Sequence, residues 1–106
     1  MYYKLNEDRN VSRCSSEDWP EFFESSDRFV KQENVEDKYV STVFLGIDYN
    51  FSGEGEPILF ETMVFRRNEE GEIDFTEVFC DRCSTWEEAE NIHKETIRKL
   101  EQGEIK

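Results

Sequence analysis

Tyr39–Phe51 reads YVSTVFLGIDYNF, the most apolar run in a chain otherwise crowded with carboxylates. Drawn as an extended strand, it points Val40, Thr42, Phe44 and Gly46 one way and Tyr39, Ser41, Val43, Leu45 and Ile47 the other. β-Branched and aromatic residues dominate both sets, which suits a strand inside a sheet better than one at its edge. The hydrophobicity of this stretch is therefore structural, the mark of a buried strand running into a loop.

Working outward, the turn-rich segment DYNFSGEGEP separates this strand from ILFETMVFRR, a second apolar run of strand length, so the two form a hairpin with a long connection. NEEGE then supplies Asn and Gly for a turn into IDFTEVFCDRC, where Phe75, Glu77, Phe79 and Asp81 alternate against Thr76, Val78 and Cys80. Three consecutive antiparallel strands follow, with an edge strand expected ahead of them between Asp27 and Val35 around Phe29 and Val30. At Ser84-Thr85-Trp86-Glu87 a capping box is expected, Ser84 accepting from the Glu87 amide. Trp86, Ala89, His93, Ile97 and Leu100 then recur at helical spacing as one apolar stripe, and Gly103 is a sensible stop. Early Glu87, Glu88 and Glu90 and late Arg98 and Lys99 agree with the helix dipole.

The resulting expectation is an α+β domain: an antiparallel meander of three to four strands packed by a C-terminal helix, with a short N-terminal helix in SSEDWPEFFESS, where Pro20 fits an opening position. With 106 residues a single domain is expected, divided into a poorly defined N-terminal segment (1–26), the sheet (27–83) and the helix (84–101). One helix covers one face of a sheet. The second face needs the N-terminal segment or another copy of the chain, so a homodimer is an expectation.

Charge limits the partners. Lys plus Arg number 13 against 26 Asp plus Glu, a balance of −13 that repels nucleic acid, phosphorylated ligands and anionic membranes. The opening MYYKLNEDRN lacks the apolar core of a signal peptide or membrane span, and three cysteines are too few for a secreted disulfide framework; both point to a cytosolic setting. Hydrophobic residues make up only 36%, yet nine Phe, four Tyr and two Trp let a few side chains build a bulky core.

Three blocks in order, STVFLGIDYNF (41–51), PILFETMVF (57–65) and STWEEAENIH (84–93), resemble a group of small uncharacterised proteins encoded by bacteriophages and prophages, which carry STVFLGLDH-, LLFETMVF- and STWEEAEAGH-like blocks. The resemblance covers roughly Tyr39 to His93. It implies a phage origin, and with it the host cytoplasm as location, and brings no activity with it. Tyr49 stands where those proteins often have His, and Cys83 where they often have Tyr, so neither a His at 49 nor a thiol at 83 can be essential to a chemistry shared by the group.

Three constellations could carry chemistry. Asp48, Asn50, Ser52, Gly53, Glu54 and Glu56 resemble the first half of a calcium loop, but Leu59 stands where a bidentate Glu is required. Cys80-x-x-Cys83 with His93 and Cys14 has zinc-like composition, although a strand would set the two thiols on opposite sides, with Cys80 the buried one. Glu61 and His93 could pair as a carboxylate–imidazole couple, without a nucleophile beside them. No cofactor, metal or catalytic set is therefore expected. The reading that remains is a small acidic phage accessory protein that binds a basic protein, with Glu54, Glu56, Glu69, Glu70, Glu72 and Asp74 as the contact residues. Carboxylates on loops can imitate phosphates, so the partner class is a host nucleic-acid-binding defence factor such as a CRISPR effector. The alternative is a metal- or ligand-binding protein, using calcium at the 48–56 loop or zinc at Cys80, Cys83 and His93.

Overall fold

Alternation along the apolar stretch decides the architecture. The structure, a computed structural model, describes residues 1–25 and 28–105, apart from the side chains of Ser25 and Phe75. The chain runs β1 (Tyr2–Leu5), β2 (Val11–Cys14), α1 (Trp19–Ser25), β3 (Phe29–Val35), β4 (Lys38–Phe44), β5 (Phe60–Arg67), β6 (Ile73–Cys83) and α2 (Trp86–Glu101). The last four strands form an antiparallel meander in the order β3-β4-β5-β6, so the quoted stretch supplies an inner strand, as its two apolar faces require. The expected start of the edge strand at Asp27 lies outside the described residues, as does the side chain of Phe75.

Register makes one face of the sheet into a floor. Val40 pairs with Val64, Thr42 with Thr62 and Phe44 with Phe60, and all six are buried beneath α2. Ala89, His93, Thr96 and Leu100 come down onto them from the helix. The cap sits one residue further along than the expected Ser84: Thr85 accepts from the Glu88 amide at 3.2 Å and donates to the Glu88 carboxylate at 3.1 Å. Thr85-x-x-Glu88 satisfies the same reciprocal pattern, and it frees Ser84 from that role. At the far end Gly103, with φ +74°, closes the helix as its amide reaches Leu100 O and that of Glu104 reaches Lys99 O.

The N-terminal segment is more ordered than its sequence suggests. β1 and β2 pair in register from Tyr2 opposite Cys14 to Leu5 opposite Val11, forming a separate two-stranded sheet. Tyr3 packs with Phe44, Leu59, Phe60, Cys83 and Ala89, and Phe22 of α1 meets Phe44 edge-on at 6.1 Å between ring centroids. Arg9, at the β1–β2 turn, lies 4.9 Å over the Trp86 ring and 3.8 Å from the Glu90 carboxylate. These contacts set the hairpin and α1 on the same side of the main sheet as α2. The opposite side, carrying Tyr39, Val43, Met63 and Phe65, is left without a covering layer from the described residues.

A candidate partner-binding loop

The connection between β4 and β5 is long, and its polar residues hold it in one shape. Asp48 Oδ1 accepts from the amides of Asn50 at 2.7 Å and Ile58 at 2.9 Å, so one carboxylate ties the start of the loop to its end. Asn50 Nδ2 donates to the carbonyls of Glu54 at 2.7 Å and Glu56 at 2.8 Å, while Asn50 Oδ1 accepts from the Ser52 amide and hydroxyl. Gly53 and Gly55 occupy φ of +78° and +85°, conformations that a Cβ would disfavour. The oxygens that resembled calcium ligands are thus spent on backbone donors within the loop, and Leu59, at the place of the required Glu, is fully buried in the core.

What this frame presents is aromatic and acidic. Phe51 is 84% exposed at the tip and Tyr49 is 38% exposed beside it, the rings meeting edge-on with centroids 6.0 Å apart. Glu54 and Glu56 flank them, both exposed. Tyr49 is in turn braced by Arg82, whose guanidinium lies 5.3 Å from its ring centroid and 2.8 Å from the Glu61 carboxylate. The remaining acidic candidates are elsewhere: Glu69, Glu70 and Glu72 lie in the β5–β6 turn and Asp74 opens β6, opposite Arg66. An eight-residue strand separates that turn from the Glu54–Glu56 loop, roughly 25 Å. The six carboxylates therefore form two groups at opposite ends of the sheet rather than one row.

The other constellations are taken apart by the register. Glu61 pairs with Val43 and Arg82 on the uncovered face, so it cannot reach His93, which comes down on the opposite side beside Thr42. The carboxylate that does meet His93 is Glu33 of β3, 3.2 Å from Nε2, and Glu33 also bonds Lys31 at 3.1 Å. His93 Nδ1 lies 2.7 Å from Thr42 Oγ1, itself 2.7 Å from Thr62 Oγ1. With the imidazole neutral, the chain is satisfied when Thr62 donates to Thr42, Thr42 to Nδ1, and Nε2–H to Glu33. Burial favours that neutral form by holding the His93 pKa below its ordinary value, although the Glu33 charge and hydrogen bond oppose this. At 1% exposure, with both ring nitrogens bonded, His93 anchors the helix and has no access to a substrate.

Cys80 and Cys83 likewise part company. Cys80 is half-buried on the uncovered face, its thiol 3.8 Å from Glu61, whereas Cys83 is buried among Phe60 and Ala89, which makes Cys83, not Cys80, the core residue. Burial, with the neighbouring Glu61 charge, pushes Cys80 up to about 11; burial, with Glu88, does the same for Cys83. Thiols so hard to ionise are poor nucleophiles at neutral pH. Among the described residues no three His, Cys, Asp or Glu side chains converge as a metal site would need, and no helix is long and apolar enough to cross a membrane.

Comparison with protein-family models, with curated proteins and with solved structures returned no match. The loop's own geometry is what bears on function. Neither the exposure of Phe51 nor the partnership of Glu33 with His93 is visible in the linear pattern. The first could have been suspected from Asp48 and Asn50 as turn-makers around an aromatic residue, the second only from strand register.

Proposed function

We propose that this protein is a non-enzymatic binding module whose 48–56 loop inserts the Phe51 ring into an apolar recess on a partner protein while Glu54 and Glu56 meet basic residues around that recess. The observation that carries the reading is a large aromatic ring 84% exposed on a loop stiffened by its own hydrogen bonds. An exposed Phe on a floppy loop would lose much of its contact energy to ordering; a braced one does not. Buried aromatic anchors surrounded by polar contacts are also the usual source of interface energy. The field of a −13 chain, including the second acidic group at Glu69, Glu70, Glu72 and Asp74, would speed encounter with a basic partner and repel nucleic acid itself.

A basic surface with recesses is what nucleic-acid-binding proteins present, so the partner class is a host nucleic-acid-binding defence factor, and the setting is the cytoplasm of a phage-infected bacterium, in keeping with the resemblance over residues 39–93. The test is capture from bacterial lysate at low salt, comparing the wild type with Phe51→Ala and with the paired change Glu54→Gln, Glu56→Gln. A stoichiometric species is expected on the wild type, lost with Phe51→Ala and released at lower salt with the glutamine pair. Identical recoveries from all three proteins would rule the loop out as the contact.

A further inference from the structure

The main sheet has a second face on which the described residues place no covering layer of helix or hairpin. The described apolar contacts from α2, α1 and the β1–β2 hairpin fall on the side of Val40, Phe44, Phe60 and Val64. On the other side stand Tyr39, Ser41 and Val43 of β4, Met63 and Phe65 of β5, and Cys80 of β6, placed there by alternation and by the pairs Tyr39–Phe65, Ser41–Met63 and Met63–Cys80. A sheet face that meets water usually carries polar residues at these positions. Here all of these but Ser41 are aromatic, aliphatic or sulfur-bearing, with the polar Gln32, Asn34 and Glu77 beside them on the edge strands, an apolar middle and polar rim of the kind found at protein interfaces.

We infer that this face is where two copies of the chain pack, sheet on sheet, about a two-fold axis. Charge selects that occupant. In a protein of net charge −13 this face is close to neutral, because Glu61 and Arg82 at one end neutralise each other at 2.8 Å, and toward the other end Arg67 is matched in number by Glu77, the β6 residue opposite Phe65. A basic protein is drawn to the acidic loops at the sheet ends and finds no excess of carboxylate here; nucleic acid finds no excess of cation. A second copy offers a matching near-neutral plateau, with its acidic loops at the ends of the sheet.

The size is adequate. Four strands at ~4.8 Å spacing, over roughly six residues of ~3.3 Å, cover about 400 Å² in projection. Side-chain relief brings the accessible area buried by two copies to about 1,000 Å² or somewhat more, the low end for a specific interface, so the dimer is reversible, with Kd in the micromolar range. Aligned sheets of this kind pack ~10 Å apart with strands crossing at about 30°. Salt gives it a signature opposite to that of the loop: each copy repels the other through its net charge, so raising salt to about 0.5 M strengthens the dimer.

Sedimentation velocity of the wild-type chain from about 1 µM to about 500 µM tests this, alongside Met63→Glu and, separately, Ser41→Arg. A concentration-dependent shift to twice the chain mass is expected for the wild type, stronger at high salt, with both variants monomeric and unchanged in far-UV circular dichroism. Phe51→Ala should dimerise as the wild type does, which separates this face from the partner-binding loop. A wild type that stays monomeric throughout overturns the proposal, whether water or another protein meets the face. So does a dimer that survives both substitutions, since the contact then lies elsewhere; if Met63→Glu fails to fold, Ser41→Arg and the wild-type titration still decide.

Discussion

Replacing Thr42 by Val is close to a change of one atom, and it should cost far more than its size suggests. The hydroxyl is fully buried and stands between His93 Nδ1 and Thr62 Oγ1, 2.7 Å from each. Removing it strands two polar groups beneath α2. A buried group left without its hydrogen bond costs about 1–3 kcal/mol, so Thr42→Val should lose about 2–5 kcal/mol, a large share of the roughly 5–15 kcal/mol that holds a small domain folded. At about 4–8 °C per kcal/mol for a domain near this size, the melting temperature falls by roughly 10–40 °C. Thr62→Val is milder, about 1 kcal/mol, because Thr42 can still donate to the imidazole. The double Val variant should be no worse than Thr42→Val alone, since the hydroxyl orphaned by the first change is gone. Urea denaturation followed by tryptophan fluorescence measures all three. A loss under about 0.5 kcal/mol for Thr42→Val, or additive losses in the double variant, would refute the chained network.

Gly46→Ala should destabilise by about 2 kcal/mol or more: φ is +78° there, and a Cβ would stand 2.9 Å from Trp19 Nε1, which already donates to the Gly46 carbonyl; thermal melting reads the loss. Because burial lowers the His93 pKa from 6.5, the unfolded chain binds its proton more readily than the folded one, so stability falls as pH drops below about 6.5. Wild type and His93→Gln should differ in slope between about pH 6.5 and 5.5 in equilibrium unfolding, the variant being flatter. Thr85→Ala should cost about 1 kcal/mol and Ser84→Ala close to nothing, which chemical denaturation can separate. Asp48→Ala should speed hydrogen exchange at the Asn50 and Ile58 amides by about tenfold, since the lost acceptor is worth about 1 kcal/mol or slightly more.

Much of this was legible because period and composition spoke together. Val40 to Phe44 and Phe60 to Val64 carry β-branched and aromatic residues at a period of two, and Ala89, His93 and Leu100 repeat at the helical period, so strands, helix and α+β class could be read directly. The N-terminal hairpin escaped because its strands are four residues long and carry Lys4 and Arg13 within them, too short for alternation to show; the turn NEDRN between YYKL and VSRC was the available sign. The cap slipped by one because Ser84 and Thr85 offer the same oxygen, and only the starting backbone angle chooses between them. Glu61 and His93 both interrupt apolar runs, and the linear pattern pairs them for that reason alone. Which face each interruption takes depends on register, and register is a property of strand pairs that no single stretch contains.

The first residues of the chain are stitched to the base of the 48–56 loop: Tyr3 N donates to Gly46 O at 2.9 Å, Asp48 N reaches Met1 O at 3.3 Å, and Tyr2 bridges Ile47. Anything fused ahead of Met1 therefore tugs on the hinge-points of the very segment proposed to meet a partner. For affinity tags, fluorophores or display on a carrier, an inactive amino-terminal fusion would say more about its attachment than about the loop.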